Sequence, residues 1–244
     1  MENHTYKSYK VWDLPVRLFH WINVICVIGL GVLGTVILWS SAFGLSTDGK
    51  VLLKTVHVYF GYVFALNLII RLGWAFAGNR FAGWRNLLPF EKGYTQKLKG
   101  QLAAEKSGQP KHYLGHTPAG RLAVSAMMVA LIAMATSGIV LAGTDIYFPP
   151  FGAMFQEWVA APGVDPATVA AYVKDNVDQA AFAEMRAFRK PFILVHYWTF
   201  FIVLALIVVH IAAVIYTEVK SGSTLISAIF TGRKVIPGEP EDKE

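Results

Sequence analysis

The chain has 244 residues and a formal net charge of +6; 55% of its residues are hydrophobic and 16% are charged. Soluble domains carry about 25% charged residues, so this composition excludes an ordinary soluble globular protein and indicates a membrane protein. The positive charge is concentrated in a connection between apolar segments, which argues against nucleic acid as a partner.

Four apolar segments are long enough to cross a bilayer, which requires about 20 mostly apolar residues. They cover residues 18–39, 51–77, 122–144 and 192–217. Each is longer than a typical core helix of a soluble protein. The sequence therefore predicts an all-α integral membrane protein, with one domain over residues 1–244 built as a bundle of four transmembrane helices.

The connections between the predicted spans differ in charge. Residues 78–119 carry seven basic and two acidic side chains, whereas residues 145–190 carry four basic and six acidic ones. The positive-inside rule then places residues 78–119 and both termini in the cytoplasm, and residues 145–190 on the outer side. The basic segment at residues 93–102 is expected to contact anionic membrane lipid.

The long outer connection contains a helix start, because Asp165 can cap a helix and Pro166 fits the first helical position. The residues that follow, through Lys174, favour a helix. We expect a short surface helix here, which either covers the bundle or offers a docking surface for a partner. The acidic segment at residues 238–244 is expected to be mobile.

Four histidines fall inside the predicted spans, where ionisable residues are rare and tend to be functional. The predicted topology places His57 and His196 at the outer level of the membrane, and His20 and His210 at the inner level. Fourteen residues separate the two histidines of the last span. This spacing is a rise of ~21 Å and ~40° less than four full turns, so both side chains are expected on nearly the same helix face.

Two imidazoles at each level suit haem iron better than zinc. Zinc needs three or four protein ligands, and no Asp, Glu or Cys of the spans completes such a set. Haem iron needs only two axial ligands, and bis-histidine ligation leaves no position for a substrate, which suits electron transfer. The sequence therefore predicts two haem b groups, one held by His57 and His196 and the other by His20 and His210.

Cationic residues near these histidines are candidate partners of the haem propionates. Arg71 follows His57 by fourteen residues and should point towards the inner haem, while Arg17 and Lys54 flank the first two histidines. Each could instead be an interfacial cation whose charged group reaches the membrane surface. Gly61, one turn after His57, could let a porphyrin approach the backbone, although small residues also serve helix packing.

Several stretches resemble the bacterial cytochrome b561 family, in particular the b-type cytochrome subunits of membrane-bound nickel–iron hydrogenases. They are LeuProValArgLeuPheHisTrpIle at 14–22, GlyHisThrPro at 115–118, and the two histidines of the last span with the segment 217–234. The resemblance implies a multi-pass protein of the bacterial inner membrane, with two b haems in four helices. It also implies that a periplasmic redox enzyme supplies electrons to the outer haem and that the inner haem passes them to quinone.

The sequence thus predicts an electron-transfer subunit of an oxidoreductase complex, which also anchors its partner. The connection 145–190 differs from that of the hydrogenase subunits, so a hydrogenase-like enzyme, an iron–sulfur protein and a c-type cytochrome all stay open as partners. Electron flow from quinol to an outer acceptor is equally compatible with the sequence. Candidate quinone or proton ligands near the inner face are His116, Glu218 and Lys220, each of which could also be an ordinary solvated or capping residue.

Two other functions fit the sequence less well. A transporter that relays protons or metal ions through histidines predicts acidic residues within the spans, broken helices and inverted repeats, and the sequence has none of these features. A cofactor-free anchor leaves four intramembrane histidines at two matched levels unexplained.

Overall fold

A computed structural model describes residues 6–243 of the chain, so that residues 1–5 and Glu244 lie outside the description. The described part is mostly helical. In chain order its elements are β1 (Tyr6–Lys10), α1 (Leu14–Leu38), α2 (Thr47–Ala77), α3 (Trp84–Leu87), α4 (Tyr94–Lys106), α5 (Pro118–Ile146), α6 (Gly152–Val159), a 3₁₀ turn (Pro166–Thr168), α7 (Gln179–Ser221), α8 (Ile226–Thr231) and β2 (Arg233–Pro237).

Helices α1, α2, α5 and α7 are long and apolar enough to cross a membrane, which confirms the four predicted spans. Their apolar windows are poorly covered by the chain itself, from 6% buried in α1 to 33% in α2. Such exposure is expected of helices that face lipid, because hydrocarbon rather than protein then surrounds their side chains.

Helix α7 is much longer than its predicted span, because it begins at Gln179 rather than near residue 192. Asp178 caps this polar first part, where its carboxylate accepts a hydrogen bond from the Ala181 amide at 2.9 Å. Met185, fully buried, anchors the same part against an apolar cluster. Hydropathy alone does not detect such an extension, since residues 179–191 include four charged side chains.

The outer connection contains a short surface helix, as predicted, but the helix is α6 and not the segment after Asp165. The predicted start is present, since the Asp165 carboxylate accepts a hydrogen bond from the Ala167 amide at 2.9 Å. The helix nevertheless ends after one 3₁₀ turn, because Val169 packs into an apolar cluster and its carbonyl accepts a hydrogen bond from Gln156 at 2.8 Å. Tertiary packing overrides the local helix preference here.

The two ends of the described chain pair with each other. β1 and β2 form an antiparallel ribbon in which Tyr6 lies opposite Pro237 and Lys10 lies opposite Arg233. This pairing places both ends on the same side of the membrane, as an even number of spans requires. The sequence did not predict this ribbon, because each strand has only five residues.

The prediction of a mobile C-terminal segment is wrong for residues 238–243. The Asp242 carboxylate accepts hydrogen bonds from the amides of Leu114 and Gly115, at 2.6 and 2.9 Å. The Glu241 amide donates to the His112 carbonyl at 2.8 Å. The inner connection has backbone groups that need partners, and the acidic segment supplies them.

By its contacts, the chain forms two compact units, and each of the four long helices contributes to both. The first unit comprises residues 1–22, 67–129 and 203–244, and the second comprises residues 23–66 and 130–202. The first unit contains His20 and His210, whereas the second contains His57 and His196.

Candidate histidine sites

In the second unit, α2 and α7 bring His57 and His196 together. The centroids of their rings are 6.3 Å apart, and the ring planes are inclined by 70°. A single metal atom bound by one nitrogen of each ring requires two bonds of about 2 Å plus the ring radii, or roughly 6 Å between centroids. The spacing of the two imidazoles therefore fits one shared metal ion.

The second nitrogen of His196 is held by α5. His196 Nδ1 lies 3.0 Å from Ser137 Oγ, and His196 also hydrogen-bonds to the backbone of Met134. The Ser137 hydroxyl can donate to the Ala133 carbonyl at 2.6 Å, and its oxygen can then accept from a protonated Nδ1 of the imidazole. In this tautomer Nε2 keeps the lone pair that a metal requires.

The sequence analysis did not single out Ser137, because a serine in a membrane helix usually bonds to its own preceding turn. His57 differs from His196 in this respect. Its Nδ1 is inaccessible to solvent and has no hydrogen-bond partner within residues 6–243. The two imidazoles of this pair therefore have unequal surroundings.

Two glycines allow helices to pass close to the paired rings. A Cβ atom on Gly138 would lie 3.2 Å from Cε1 of His196, and one on Gly34 would lie 3.5 Å from Cε1 of His57. The first of these distances is too short for an unstrained contact, so a side chain on Gly138 would displace the imidazole. At Gly61 the surroundings are open, with no atom within 4 Å of the Cβ position, and a flat group has room to approach.

Lys54, a predicted propionate partner, is engaged by protein groups. Its ammonium group forms an ion pair with Asp145 and a hydrogen bond with the Tyr172 hydroxyl. The other oxygen of Asp145 is 2.8 Å from Nη1 of Arg189. Asp145 and Arg189 were missed by the sequence analysis. The one available signal was an acidic residue directly after the third predicted span.

In the first unit, α1 and α7 carry His20 and His210. His210 is near enough to act on the charge of His20, and its side chain is exposed on the surface of the chain. His20 makes an edge contact with Trp21, with ring centroids 5.3 Å apart. Its Nδ1 is enclosed and has no hydrogen-bond partner among the described residues. Both histidines of the second predicted pair therefore belong to the first unit, and their pairing stays a prediction.

Two arginines lie in the same unit. Arg71 is 4% exposed; its Nη1 donates to the Ala82 carbonyl at 3.2 Å, and its guanidinium group lies 5.7 Å from the centre of the Phe19 ring. Arg17 donates from Nη1 to the Phe230 carbonyl at 2.5 Å, while its Nε is enclosed without a partner among the described residues. A guanidinium group has five N–H donors, so both arginines retain donors for a further acceptor.

His116 precedes α5 and lies in a strongly cationic environment. Its ring is 5.0 Å from that of Trp12, and it hydrogen-bonds to the backbone of Asn86. Burial, followed by the charges of Lys234, Arg71 and Arg121, lowers the pKa of His116 to about 3. The imidazole is therefore neutral at physiological pH. Its Nδ1 is enclosed, and no partner for this atom is found in residues 6–243.

Lys234 on β2 was not predicted as a site residue. It is 3% exposed, and its Nζ donates to the Tyr113 carbonyl at 2.5 Å. Burial lowers the pKa of Lys234 to about 8, although Asp242 partly opposes this shift. A lysine next to the apolar pair Val235-Ile236 was a weak signal, because terminal strands were not expected.

The other two quinone candidates have local roles in the structure. Glu218 accepts hydrogen bonds from the amides of Leu225 and Ile226, both at 2.7 Å, and so holds the start of α8. The Lys220 ammonium group lies 5.5 Å from the centre of the Tyr216 ring and borders a shallow surface pocket.

Four apolar helices together with the adjacent His57 and His196 are the features of a membrane b-type cytochrome. Within residues 6–243, no group of three or more His, Cys, Asp or Glu side chains forms an alternative metal site. The profile of the family described as prokaryotic cytochrome b561 matches residues 11–232, and the chain belongs to this family. A b-type cytochrome carries haem b, and the spacing of His57 and His196 fits the iron of such a group.

Several relatives are named as probable Ni/Fe-hydrogenase B-type cytochrome subunits. The protein of Azotobacter vinelandii is 31% identical over 141 residues, which are 54% of this chain and 58% of that protein. That of Rhizobium leguminosarum bv. viciae is 24% identical over 251 residues, covering 94% and 90% of the two chains. The Escherichia coli K12 relative, named for hydrogenase 1, is 27% identical over 144 residues, covering 55% and 60%. The matched part of this chain therefore spans less than two thirds of the Azotobacter and E. coli relatives.

Proposed function

We propose that residues 1–244 act as one dihaem b-type cytochrome domain that carries electrons across the bacterial inner membrane. The observation that supports this function best is the His57–His196 pair, whose centroid distance of 6.3 Å suits a metal between the rings. His20 and His210 would hold the second haem. A haem with two axial histidines takes up and releases one electron and leaves no coordination position for a substrate.

The remaining residues of the sites bind and orient in this proposal. Ser137 keeps the proton of His196 on Nδ1, so that Nε2 is available to the iron. Arg71 and Arg17 would neutralise haem propionates in the first unit. Lys54 fits this role less well, because Asp145 already neutralises its charge. The open surroundings of Gly61 leave room for the edge of a porphyrin.

We further propose that the redox partner is a nickel–iron hydrogenase on the periplasmic side. The support comes from the relatives, which are named as cytochrome subunits of such enzymes. The predicted orientation places the connection 145–190 on that side. Within this connection, α6 presents Met154 and Trp158, which are 53% and 39% exposed. The chain would thus anchor the hydrogenase and receive its electrons at the haem of His57 and His196.

Quinone would accept the electrons near the His20–His210 pair. Of the three candidate residues, His116 has the best support, because its enclosed Nδ1 has no hydrogen-bond partner among the described residues. Glu218 and Lys220 have less support, since each is explained by its local contacts. A neutral imidazole can donate one hydrogen bond to a quinone carbonyl without leaving a charge buried.

The experiment that tests this function is a haem assay on the purified full-length chain. We expect two haem b groups per polypeptide in a reduced-minus-oxidised spectrum. His57→Ala and His196→Ala should each remove one haem, and His20→Ala and His210→Ala should each remove the other. His112→Gln is the matched control, a histidine outside both pairs, and should retain both haems. A chain without haem, or with a single haem that survives all four substitutions, would contradict the proposal.

A further inference from the structure

Two buried cations of the first unit lack a carboxylate partner. Arg71 and Lys234 are 4% and 3% exposed. Neither forms an ion pair with an acidic side chain within residues 6–243. A buried charge is costly unless an opposite charge and hydrogen bonds compensate it. An anion bound near both cations would compensate their buried charges.

The two cations are held at the edge of one apolar cluster. Arg71 donates to the carbonyl of Ala82, and Lys234 donates to the carbonyl of Tyr113. Phe81, which precedes Ala82, and Leu114, which follows Tyr113, pack in a single core with Val11, Ile236, Tyr9 and Trp12. Both cations are also near enough to His116 to lower its pKa.

The carboxylates of this region are already committed to other groups. Asp242 acts on the charge of Lys234, but its two oxygens accept hydrogen bonds from the amides of Leu114 and Gly115. Asp13 acts on the charge of Arg71, but it accepts hydrogen bonds from Trp74, Asn79 and Val16. Glu91 pairs with Arg121 at 2.9 Å.

We propose that Arg71 and Lys234 together bind the propionate carboxylates of the haem held by His20 and His210. Carboxylates are the anions that such a haem brings into the protein, and ammonium and guanidinium groups bind them with charge-assisted hydrogen bonds. Lys234 makes the C-terminal strand part of the haem site, a role that no sequence motif indicated. This inference rests on the proposed dihaem function.

The test compares haem b with its dimethyl ester, in which both propionates are neutral. Haem-free full-length protein is titrated with each compound, and the low-spin signals of the two sites are followed separately by electron paramagnetic resonance. At the His20–His210 site we expect the wild-type chain to prefer haem b by roughly tenfold or more, since charge-assisted hydrogen bonds would be lost with the ester. At the His57–His196 site the same preparation provides an internal control for folding.

Variants of Lys234 then assign the preference to this residue. Lys234→Met should reduce the preference for haem b several-fold at the His20–His210 site only, and Lys234→Arg should retain it. Arg233→Met is the matched control, because Arg233 is the exposed neighbour on the same strand and donates to Ser8. Should Lys234→Met fail to fold, Lys234→Gln is compared in its place, and the wild-type comparison of haem b with its ester still tests whether the site binds propionates.

The outcomes separate this inference from the proposed function. If the wild-type chain binds no haem, the proposed function fails. If it binds two haems but takes the ester equally well at the His20–His210 site, only the propionate assignment is overturned. A lipid phosphate in place of the propionate is the third outcome: Lys234→Met would then release tightly bound phospholipid, measured as phosphorus, with no change in the preference between haem and ester.

Discussion

Ser137 Oγ lies 3.0 Å from Nδ1 of His196, and the same hydroxyl lies 2.6 Å from the carbonyl of Ala133. The serine side chain thus connects the backbone of α5 to the imidazole on α7 through two contacts. Because an acceptor on Nδ1 increases the electron density of the imidazole, it strengthens Nε2 as a metal ligand and favours the oxidised iron. No such acceptor contacts Nδ1 of His57 among the described residues.

Ser137→Ala should raise the reduction potential of the haem proposed at His57 and His196. The expected shift corresponds to a change of several-fold, up to about tenfold, in the reduction equilibrium, where tenfold equals ~59 mV for one electron. Met134 still offers a backbone partner to His196, so the ring keeps its tautomer. A redox titration followed at the haem absorption bands measures both potentials in one sample.

The control for this substitution is Ser125→Ala on the same helix. Ser125 donates to the Leu87 carbonyl at 3.0 Å and belongs to the first unit. It should leave the potential of the His57–His196 haem unchanged. An equal shift of both haems in Ser137→Ala, or no shift at all, would show that Ser137 does not tune the iron.

Gly138→Ala should lower the haem content of the His57–His196 site. The added methyl group would lie 3.2 Å from Cε1 of His196, so the imidazole must rotate or move away from its position. Overpacking of this kind typically costs ~1–3 kcal/mol. Haem per polypeptide is measured in the purified protein, with Gly31→Ala as the control because no atom lies within 4 Å of its Cβ position. A full complement of haem in Gly138→Ala would contradict this prediction, because the helices would then accommodate the methyl group without loss of haem binding.

The membrane part of the fold could be predicted because its signals are local in sequence. Length and hydropathy define the four spans, and ionisable residues in apolar helices are rare enough to stand out, as His57 and His196 do. Ser137 could not be predicted in the same way. Its contact with His196 depends on the rotation of α5 against α7, which periodicity does not determine for a helix that is apolar on every side.

The parts outside the membrane were predicted less well, because long-range contacts decide them. Asp165 does cap a turn, yet the packing of Val169 ends the helix that should follow. Lys234 ends the segment 217–234, which resembles the family, but was itself not predicted as a site residue, and Asp242 lies in the segment that was expected to be mobile. Both are held by backbone groups of residues 113–115, more than 100 positions earlier in the chain.

The stability of the chain should fall as the pH drops from 6.5 towards 5, because of His116. The folded state keeps this imidazole neutral, with a pKa of about 3, whereas the unfolded chain binds a proton near pH 6.5. The unfolded state therefore holds more protons between these two values, and each pH unit costs up to ~1.4 kcal/mol of the free energy of unfolding. Above pH 6.5 this contribution is complete.

His116→Gln should flatten this dependence, since glutamine does not titrate. The measurement is the thermal unfolding midpoint in detergent at pH 6.5, 6.0, 5.5 and 5.0 (about half-unit steps), compared between the variant and the wild type. An unchanged slope in His116→Gln would assign the pH dependence to other groups.

Asp242→Ala should loosen the segment that leads into α5. The carboxylate accepts hydrogen bonds from the amides of Leu114 and Gly115, and its removal leaves two largely buried donors without their partner. Such a loss typically costs ~1–3 kcal/mol for each unsatisfied group. We expect faster hydrogen–deuterium exchange in peptides that cover residues 112–117, while peptides within α5 stay protected. Glu241→Ala is the matched control, because Glu241 pairs with Lys111 through a half-exposed side chain and should leave this exchange nearly unchanged. If both variants exchange alike, the ribbon of β1 and β2 rather than Asp242 holds the C-terminal segment against the inner connection.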